Sequence, residues 1–369
     1  MDDELPRSGS VPDEKERAKS ARVLDARKIL VGASWGLGLS AAAVWLLLRF
    51  TGFESFSHYL RQVRFVFLLL GTTMILACWW LDTVRLVVLS RSLGRRISLV
   101  GAFRITMMSS FMAGVTPFDT GGEPLKVYLL YREGVPFGEG AAVVALGALL
   151  HATSRLLLFL AAPLVALATG VAWAALTGVK AALGVGLFVY LVFLGILIAS
   201  LVRPEIATTL ARRICDSRIV RKIASERTRE EIVRRVALHV QEFRDGIFKF
   251  SNMRIHAGIA GLLSVGYWMA LTLVPFFVLS GIGVKVPYAA VFATSMSLYL
   301  VMAYVPTPGA SGGAEIGSAA LFATMIPSRV LGVFVLLWRL VTFYLTMAVG
   351  GLFIAFEAAS WSFRKLAAN

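Results

Sequence analysis

Six ionisable residues stand where an otherwise apolar chain gives least reason for them. Asp119, Glu123 and Lys126 occur in TPFDTGGEPLK (Thr116–Lys126) and Arg155 in HATSRLLLFL. Glu315 occurs in TPGASGGAEIG (Thr307–Gly317) and Arg339 in LLWRLVTFYL. The set balances at three acids against three bases. An arginine at the centre of a membrane-spanning helix costs about 2.5–3.5 kcal/mol on insertion scales, so each should face a partner or a wet cavity. Two chemistries fit: fixed structural ion pairs, or arginines that exchange a protein carboxylate for a substrate phosphate as a site changes access. His151, one turn before Arg155, fits a bundle hydrogen bond better than a proton relay. Trp79, Trp80, Tyr267 and Trp268 read as interface anchors or packing rather than a binding platform.

The Pro and Gly residues around these charges interrupt helices. Pro removes a backbone donor and Gly tolerates dihedrals closed to other residues, so a break is expected at each TP…GG stretch. Pro124 suits the first turn of a new helix over 124–132, and Ser311 could cap another beginning near Gly313. Two helix N-termini would then face the centre with free N–H groups and positive dipole ends, which suit a phosphate or other anion. The plainer alternative is that Glu123 and Glu315 cap their own helices.

What must position these residues is a membrane-spanning bundle. Of 369 residues 57% are hydrophobic and 16% charged, and the mean hydropathy is +0.75. A soluble fold cannot hide that much apolar surface. Apolar runs at 29–50, 63–81, 139–169, 180–202, 255–282 and 329–356 each reach the roughly 20 residues that a crossing needs. The first follows a polar segment, 1–28, and is too long for a cleavable signal core. Cys78 and Cys215 show no pairing or ligand pattern, and no P-loop, dinucleotide fingerprint or Cys/His cluster is present, so neither metal nor cofactor is expected. The net charge of +15 is concentrated in loops beside spans, which points to topology and anionic headgroups rather than nucleic acid.

Those loops fix a topology. Basic residues gather in the N-terminal segment, in Arg85, Arg91, Arg95, Arg96 and Arg104 after the second run, and in the tail at Arg364 and Lys365. They also fill the insert 203–254, with Arg212, Arg213, Arg218, Arg221, Lys222, Arg227, Arg229, Arg234 and Arg235. The connections near 170–180 and 283–287 hold one Lys each, Lys180 and Lys285. If all basic regions share the cytoplasmic side, 98–135 and 287–327 must each leave and return on one face, as re-entrant hairpins or broken, doubling-back pairs. The insert reads as one or two amphipathic helices on the inner membrane surface, with Ile219, Ile223, Ile232, Val236 and Val240 as an apolar stripe, or as a solvated helical hairpin.

The two motifs superpose at a constant offset of about 191 residues. Thr116-Pro117 matches Thr307-Pro308, Thr120 matches Ser311, and Gly121-Gly122 matches Gly312-Gly313, while Glu123 and Glu315 differ by one position. Matches in register imply an internal duplication. With three crossings between them the halves should be inverted, a transporter architecture. Arg155 and Arg339 lie out of repeat register, which argues against a strictly symmetric mechanism.

At GGEPLKVYLLYREGV (Gly121–Val135) and PTPGASGGAEIGSAALF (Pro306–Phe322) the chain resembles the flippase-like membrane proteins related to the transmembrane domain of lysylphosphatidylglycerol synthases. The resemblance covers about residues 30–355. In the bifunctional synthases this domain carries a modified lipid across the bilayer beside a soluble aminoacyl transferase, and nothing in this chain matches that transferase. The second motif departs from the commoner form, in which Glu follows the Gly-rich turn more directly.

The expected fold is therefore an all-α polytopic membrane protein, with about six full transmembrane helices and two re-entrant or broken hairpins as an inverted repeat. A first membrane half, 29–202, and a second, 255–356, flank the basic insert; 357–369 form a cytoplasmic tail. The expected activity is translocation of an anionic or polar-headed lipid across the inner membrane, without catalysis, with both termini cytoplasmic and membrane lipids as partners. A homo-oligomer is compatible with the sequence. The candidate binding residues are Asp119, Gly121, Gly122, Glu123, Lys126, Arg155, Thr307, Pro308, Gly312, Gly313, Glu315 and Arg339. A membrane polyprenyl-phosphate glycosyltransferase is one rival, although no sugar-nucleotide or carboxylate cluster supports it. A transporter of a small soluble solute is the other.

Overall fold

The computed structural model describes residues 26–51, 58–168, 180–217, 220–221, 225–302 and 305–367. Arg218, Lys222, Ile219 and Ile223, expected in the basic insert, lie outside the described residues. The described chain is helical: α1 (Ala26–Thr51), α2 (Phe65–Ser92), α3 (Leu99–Val115), α4 (Gly122–Arg132), α5 (Phe137–Ala168) and α6 (Lys180–Val202) precede the insert. The insert holds α7 (Glu205–Cys215) and α8 (Glu226–Ser251). The second half is α9 (Arg254–Gly281), α10 (Tyr288–Met302), α11 (Gly313–Phe322), α12 (Ser328–Arg339) and α13 (Leu345–Ala367). Among the described residues six helical segments are long and apolar enough to cross a membrane: Val31–Arg49, Phe65–Ser92, Phe137–Val165, Gly184–Val202, Arg254–Gly281 and Ser328–Ala359. The protein is an all-α polytopic membrane protein.

The second span runs further than its apolar run. α2 continues to Ser92, so Arg85 is a buried helix residue rather than the loop marker expected from the charge pattern. An arginine whose charge is met inside the bundle need not end a span.

The duplication extends well beyond the two motifs. Pro117 and Pro308, Gly122 and Gly313, and Phe137 and Ser328 are each 191 residues apart. Phe65 and Arg254, and Leu99 and Tyr288, are 189 apart. Each unit is thus a long helix, a short apolar helix, a break, a second short helix packed back on the first, and another long helix. The leading helices of the two units, α2 and α9, share the most extensive helix–helix contact among the described residues, and the two breaks pack against each other. α1 lies outside the repeat and packs on α12, α11 and the second break. Its Gly36 admits this approach, because a Cβ there would lie 3.3 Å from Pro308 Cβ and 3.6 Å from the Gly114 carbonyl.

The apolar core divides in the same way. Trp338, Phe334, Phe322 and Tyr190 anchor one cluster, while Leu89, Ile105, Met108 and Leu130 anchor another around the first break. The insert folds as a helical hairpin: α7 packs on α8, and α8 packs on α5. Glu139 receives Arg95 at 2.5 Å and Lys249 at 3.1 Å, and the Gly138 N–H donates to Glu242 Oε2 at 2.9 Å.

Candidate functional site

Both breaks are built by one local device. Thr116 and Thr307 are extended (φ −114, ψ 146 and φ −113, ψ 151), the conformation that a following Pro imposes. Each Pro opens a single 3-10 turn, Pro117–Asp119 and Pro308–Ala310. The chain then enters the left-handed region, at Phe118 and Asp119 in the first break and at Gly309 and Ala310 in the second. The threonine hydroxyls hold the turns. Thr116 Oγ1 donates to the Met112 carbonyl at 2.8 Å and accepts from the Gly121 N–H at 2.9 Å, and Thr307 Oγ1 donates to the Ser311 carbonyl at 2.7 Å.

After these turns the two breaks diverge. Gly312 has φ 84 and ψ −57, a conformation suited to Gly, and it caps α11 so that Glu315 stands at the third helical position. Glu315 Oε2 accepts the Gly312 N–H at 2.7 Å, half of the reciprocal arrangement of a capping box. Its other oxygen lies 2.8 Å from Arg339 Nε and accepts from Ser40 Oγ. Glu315 is 0% and Arg339 2% exposed. Arg339 Nη2 also donates to the Gly309 carbonyl and to Ser311 Oγ, both at 3.2 Å, and the guanidinium lies 4.0 Å from the centre of the Phe343 ring. A one-turn π-helix, Leu340–Tyr344, follows Arg339 directly, and Tyr344 shares a 2.6 Å hydrogen bond with Ser40. π-bulges recur at functional sites. The expectation that Glu315 either caps its helix or pairs with an arginine is met on both counts, one oxygen for each.

In the first break Thr120 and Gly121 stay right-handed, and Glu123 falls at the second helical position, where its side chain does not reach back to a cap N–H. Its carboxylate is 52% exposed, 3.8 Å from Lys126 Nζ. Lys126 also lies 4.0 Å from Asp82, which is ion-paired with Arg85 and 3.4 Å from His151 Nε2. Arg85 reaches Ser264 at 3.3 Å, and a crevice of about 10 Å³, room for one water, lies among Asp82, Arg85, Glu123, Lys126 and Gly147. Glu123 and Lys126 therefore belong to an ionic cluster between α2, α4 and α5. The sequence reading had not placed Asp82 there, because it follows the apolar run at 63–81.

Arg155 has different company. Its Nε donates to Tyr190 Oη and its Nη1 to the Tyr299 carbonyl, both at 3.2 Å. Its guanidinium lies 4.7 Å from the centre of the Tyr190 ring and 5.0 Å from that of Trp268, distances at which an aromatic face attracts a cation. Among the described residues no carboxylate comes within ion-pair distance of it. Asp119 is likewise unpaired, exposed in the first break, and within electrostatic reach of both Arg339 and Arg155. Thr307, Pro308, Gly312 and Gly313 line the second break around the Glu315–Arg339 pair, while Gly121 and Gly122 form the start of α4. Gly122 is buried, and a Cβ there would lie 2.9 Å from both the Ser109 carbonyl and Ala113 Cβ, so only Gly permits α4 to approach α3.

Ser40, Tyr190 and Tyr299 carry no mark in the sequence reading, and Trp268, expected there as an interface anchor or packing residue, stands 5.0 Å from the Arg155 guanidinium. Tyr190 carried the one usable signal, a hydroxyl in a wholly apolar span that must find an acceptor. It donates to the Ala152 carbonyl at 2.7 Å.

Residues 34–350 match the profile of the lysylphosphatidylglycerol synthase TM region. The chain belongs to that family. It is also 27% identical over 331 residues to a UPF0104 membrane protein of Archaeoglobus fulgidus, an alignment that covers 89% of this chain and 98% of that one. The match spans both breaks and both arginines, so the geometry above is that of a lysylphosphatidylglycerol synthase TM region.

Midway along α13, near the end of the Ser328–Ala359 span, lies a second ionic cluster. Glu357, buried, accepts from Arg132 Nη1 at 2.7 Å and from Arg104 Nη1 at 3.4 Å, and Arg104 also pairs with Glu133. It joins α13 to the open ends of α3 and α4. The repeat-related positions 323 and 324 in the second hairpin are Ala and Thr, so the duplication does not reproduce it.

Proposed function

We propose that this protein translocates a polar-headed lipid with an anionic group across the inner membrane. In this reading α3–α4 and α10–α11 are re-entrant hairpins that enter from opposite leaflets and meet near the midplane. The N-terminus, the α7–α8 hairpin and the C-terminus lie in the cytoplasm, as the basic loops favour. The observation that carries the proposal is Arg155: a guanidinium inside a span, held by a phenol, a carbonyl and two aromatic faces, with no acid at ion-pair distance among the described residues. Buried arginines normally meet a carboxylate or an anionic ligand. A phosphate would complete this site, with Asp119 opposite it to meet an amino or hydroxyl group. The acyl chains stay in lipid while the headgroup crosses between the breaks.

Access would change at two joints. Arg339 leads directly into the π-turn, and Glu357 lies further along the same continuous helix, clamped to the cytoplasmic ends of the first hairpin. Release of that clamp opens the cytoplasmic side; its closure leaves the headgroup facing the other leaflet. Transport follows a gradient or mass action.

Reconstitution tests the reading. Vesicles of phosphatidylcholine and phosphatidylglycerol, with a headgroup-labelled fluorescent phosphatidylglycerol, are loaded with the protein and quenched from outside with dithionite. Wild type should expose inner-leaflet probe, and Arg155→Gln, folded to the same extent, should not. Equal quenching in empty and loaded vesicles, across anionic and zwitterionic probes, would overturn the proposal.

A further inference from the structure

The large side chains of α7 face the wrong way for a soluble helix. Ile206, Leu210 and Ile214, at i, i+4 and i+8, are 57%, 55% and 53% exposed. The opposite face, turned toward the protein, carries the smaller Thr208, Ala211 and Cys215, which are half-buried or buried. A helix packed on a water-soluble surface would show the reverse arrangement, with its aliphatic stripe inward.

Two further observations say what covers this stripe. α7 begins at Glu205, three residues after span α6 ends at Val202, so the chain enters it directly from the membrane. The exposed aliphatic surface of α6, with Ile196, Ile198 and Val202, continues onto α7 with one short interruption at Arg203 and Pro204. The charge is also suited. Arg203 and Arg213 are exposed, and among the described residues neither has a carboxylate within ion-pair distance; Arg212 lines the cleft between α7 and α8 with Asp216, Glu226 and Glu230, and Glu205 is taken by Arg244 at 3.3 Å.

We infer that α7 is an interfacial helix, immersed along its length in the leaflet that faces the α7–α8 hairpin, with Ile206, Leu210 and Ile214 among the upper acyl chains and Arg203 and Arg213 on anionic lipid phosphates. Basic amphipathic helices bind bilayers by this combination of buried apolar area and attraction to anionic headgroups. This stripe at 206–214 is separate from the one expected at Ile219, Ile223, Ile232, Val236 and Val240, of which Ile219 and Ile223 lie outside the described residues. The hairpin then has two different helices: α7 in the lipid, and α8 above it, carrying its charges to water. The inference requires only that the protein spans a membrane and does not rest on translocation.

The test uses the full chain in nanodiscs of phosphatidylcholine with a minority of phosphatidylglycerol. A nitroxide is placed at Leu210→Cys or, as the aqueous control, at Arg234→Cys, with Cys78→Ala and Cys215→Ala as background. The label at 210 should relax several-fold more with oxygen than with a water-soluble nickel chelate, and the label at 234 should show the reverse. In the native-cysteine protein, benzoylphenylalanine at 210 should form phosphatidylglycerol adducts beyond that lipid's mole fraction. Arg203→Gln with Arg213→Gln should return the adducts to bulk composition. Nickel access at 210 equal to that at 234 would overturn the inference. So would protein–protein adducts in place of lipid ones, which would assign the stripe to a second copy of the chain. Adducts that already follow bulk composition in the wild type would remove the phosphate contacts.

Discussion

Thr116–Asp119 and Thr307–Ala310 follow nearly the same backbone path, and then one residue of register separates them. At the second break Gly312 turns left-handed, Glu315 reaches the third helical position, and its two oxygens close on a cap N–H and on Arg339. At the first break Gly121 stays right-handed and Glu123 stops one position short, leaving Asp119 and the carboxylate of Glu123 open. The duplication therefore supplies two copies of a break with different employment. The second is an ion-paired anchor wrapped by α1 and the π-turn. The first leaves Asp119 open within electrostatic reach of Arg155 and Arg339, while Glu123 and Lys126 join the cluster around Asp82. One position in a helix cap decides which is which.

This contrast can be broken experimentally. The largest effect should come from the anchor. Arg339→Gln leaves a fully buried Glu315 without its cation and should cost about 3–5 kcal/mol, read as a marked fall in thermal unfolding temperature in detergent. Glu315→Gln with Arg339→Gln should recover most of the loss, because both charges are removed and glutamine can still receive the cap N–H. In the first break Glu123→Gln should change stability by less than about 1 kcal/mol, as expected of an exposed acid with a distant partner. An equal cost for the two carboxylates would erase the distinction.

Backbone substitutions sharpen the comparison. Gly309→Ala sets a methyl on a left-handed residue, 3.1 Å from the Gly114 carbonyl and against the Phe343 ring, where the breaks meet. It should cost about 1–3 kcal/mol in the same melting measurement. Phe118, at the repeat-related position, is also left-handed (φ 55) but exposed, so Phe118→Gly should relieve about 1 kcal/mol of conformational cost and stabilise the fold. Destabilisation by Phe118→Gly would show that the ring makes contacts that outweigh the relieved backbone cost. Glu357→Gln should cost less than Arg339→Gln, because its partners Arg104 and Arg132 reach solvent. Arg104 retains Glu133, yet loss of the clamp should alter the rate of lipid exchange in the vesicle assay.

The sequence makes the frame legible because composition and periodicity are properties of long segments. Six spans, the two TP…GG breaks and the 191-residue offset all survive local noise, and the family follows from the same residues. The pairing inside the frame depends on three-dimensional facts that spacing does not hold. Asp82 stands beyond the end of an apolar run, so charge patterning places it outside the bundle; the helix carries it inside to meet Arg85, Lys126 and His151. Ser40 comes from a helix outside the repeat and has no motif to mark it. The offset of Glu123 and Glu315 by one residue is visible in the sequence, but its meaning required the dihedrals of Gly121 and Gly312. The direction of the α7 stripe likewise needed the position of α8.

The central proposal is that Asp119, exposed in the first break, meets a lipid headgroup inside the bilayer. Modification of Asp119→Cys by a charged, membrane-impermeant methanethiosulfonate tests it most directly, in proteoliposomes and with Leu157→Cys on the exposed apolar side of α5 as the lipid-facing control. The account predicts that position 119 reacts while 157 does not, and that phosphatidylglycerol slows the reaction at 119 relative to phosphatidylcholine alone. A cysteine at 119 as inert as that at 157, or one that reacts at the rate of a free surface thiol whatever the lipid, would contradict it.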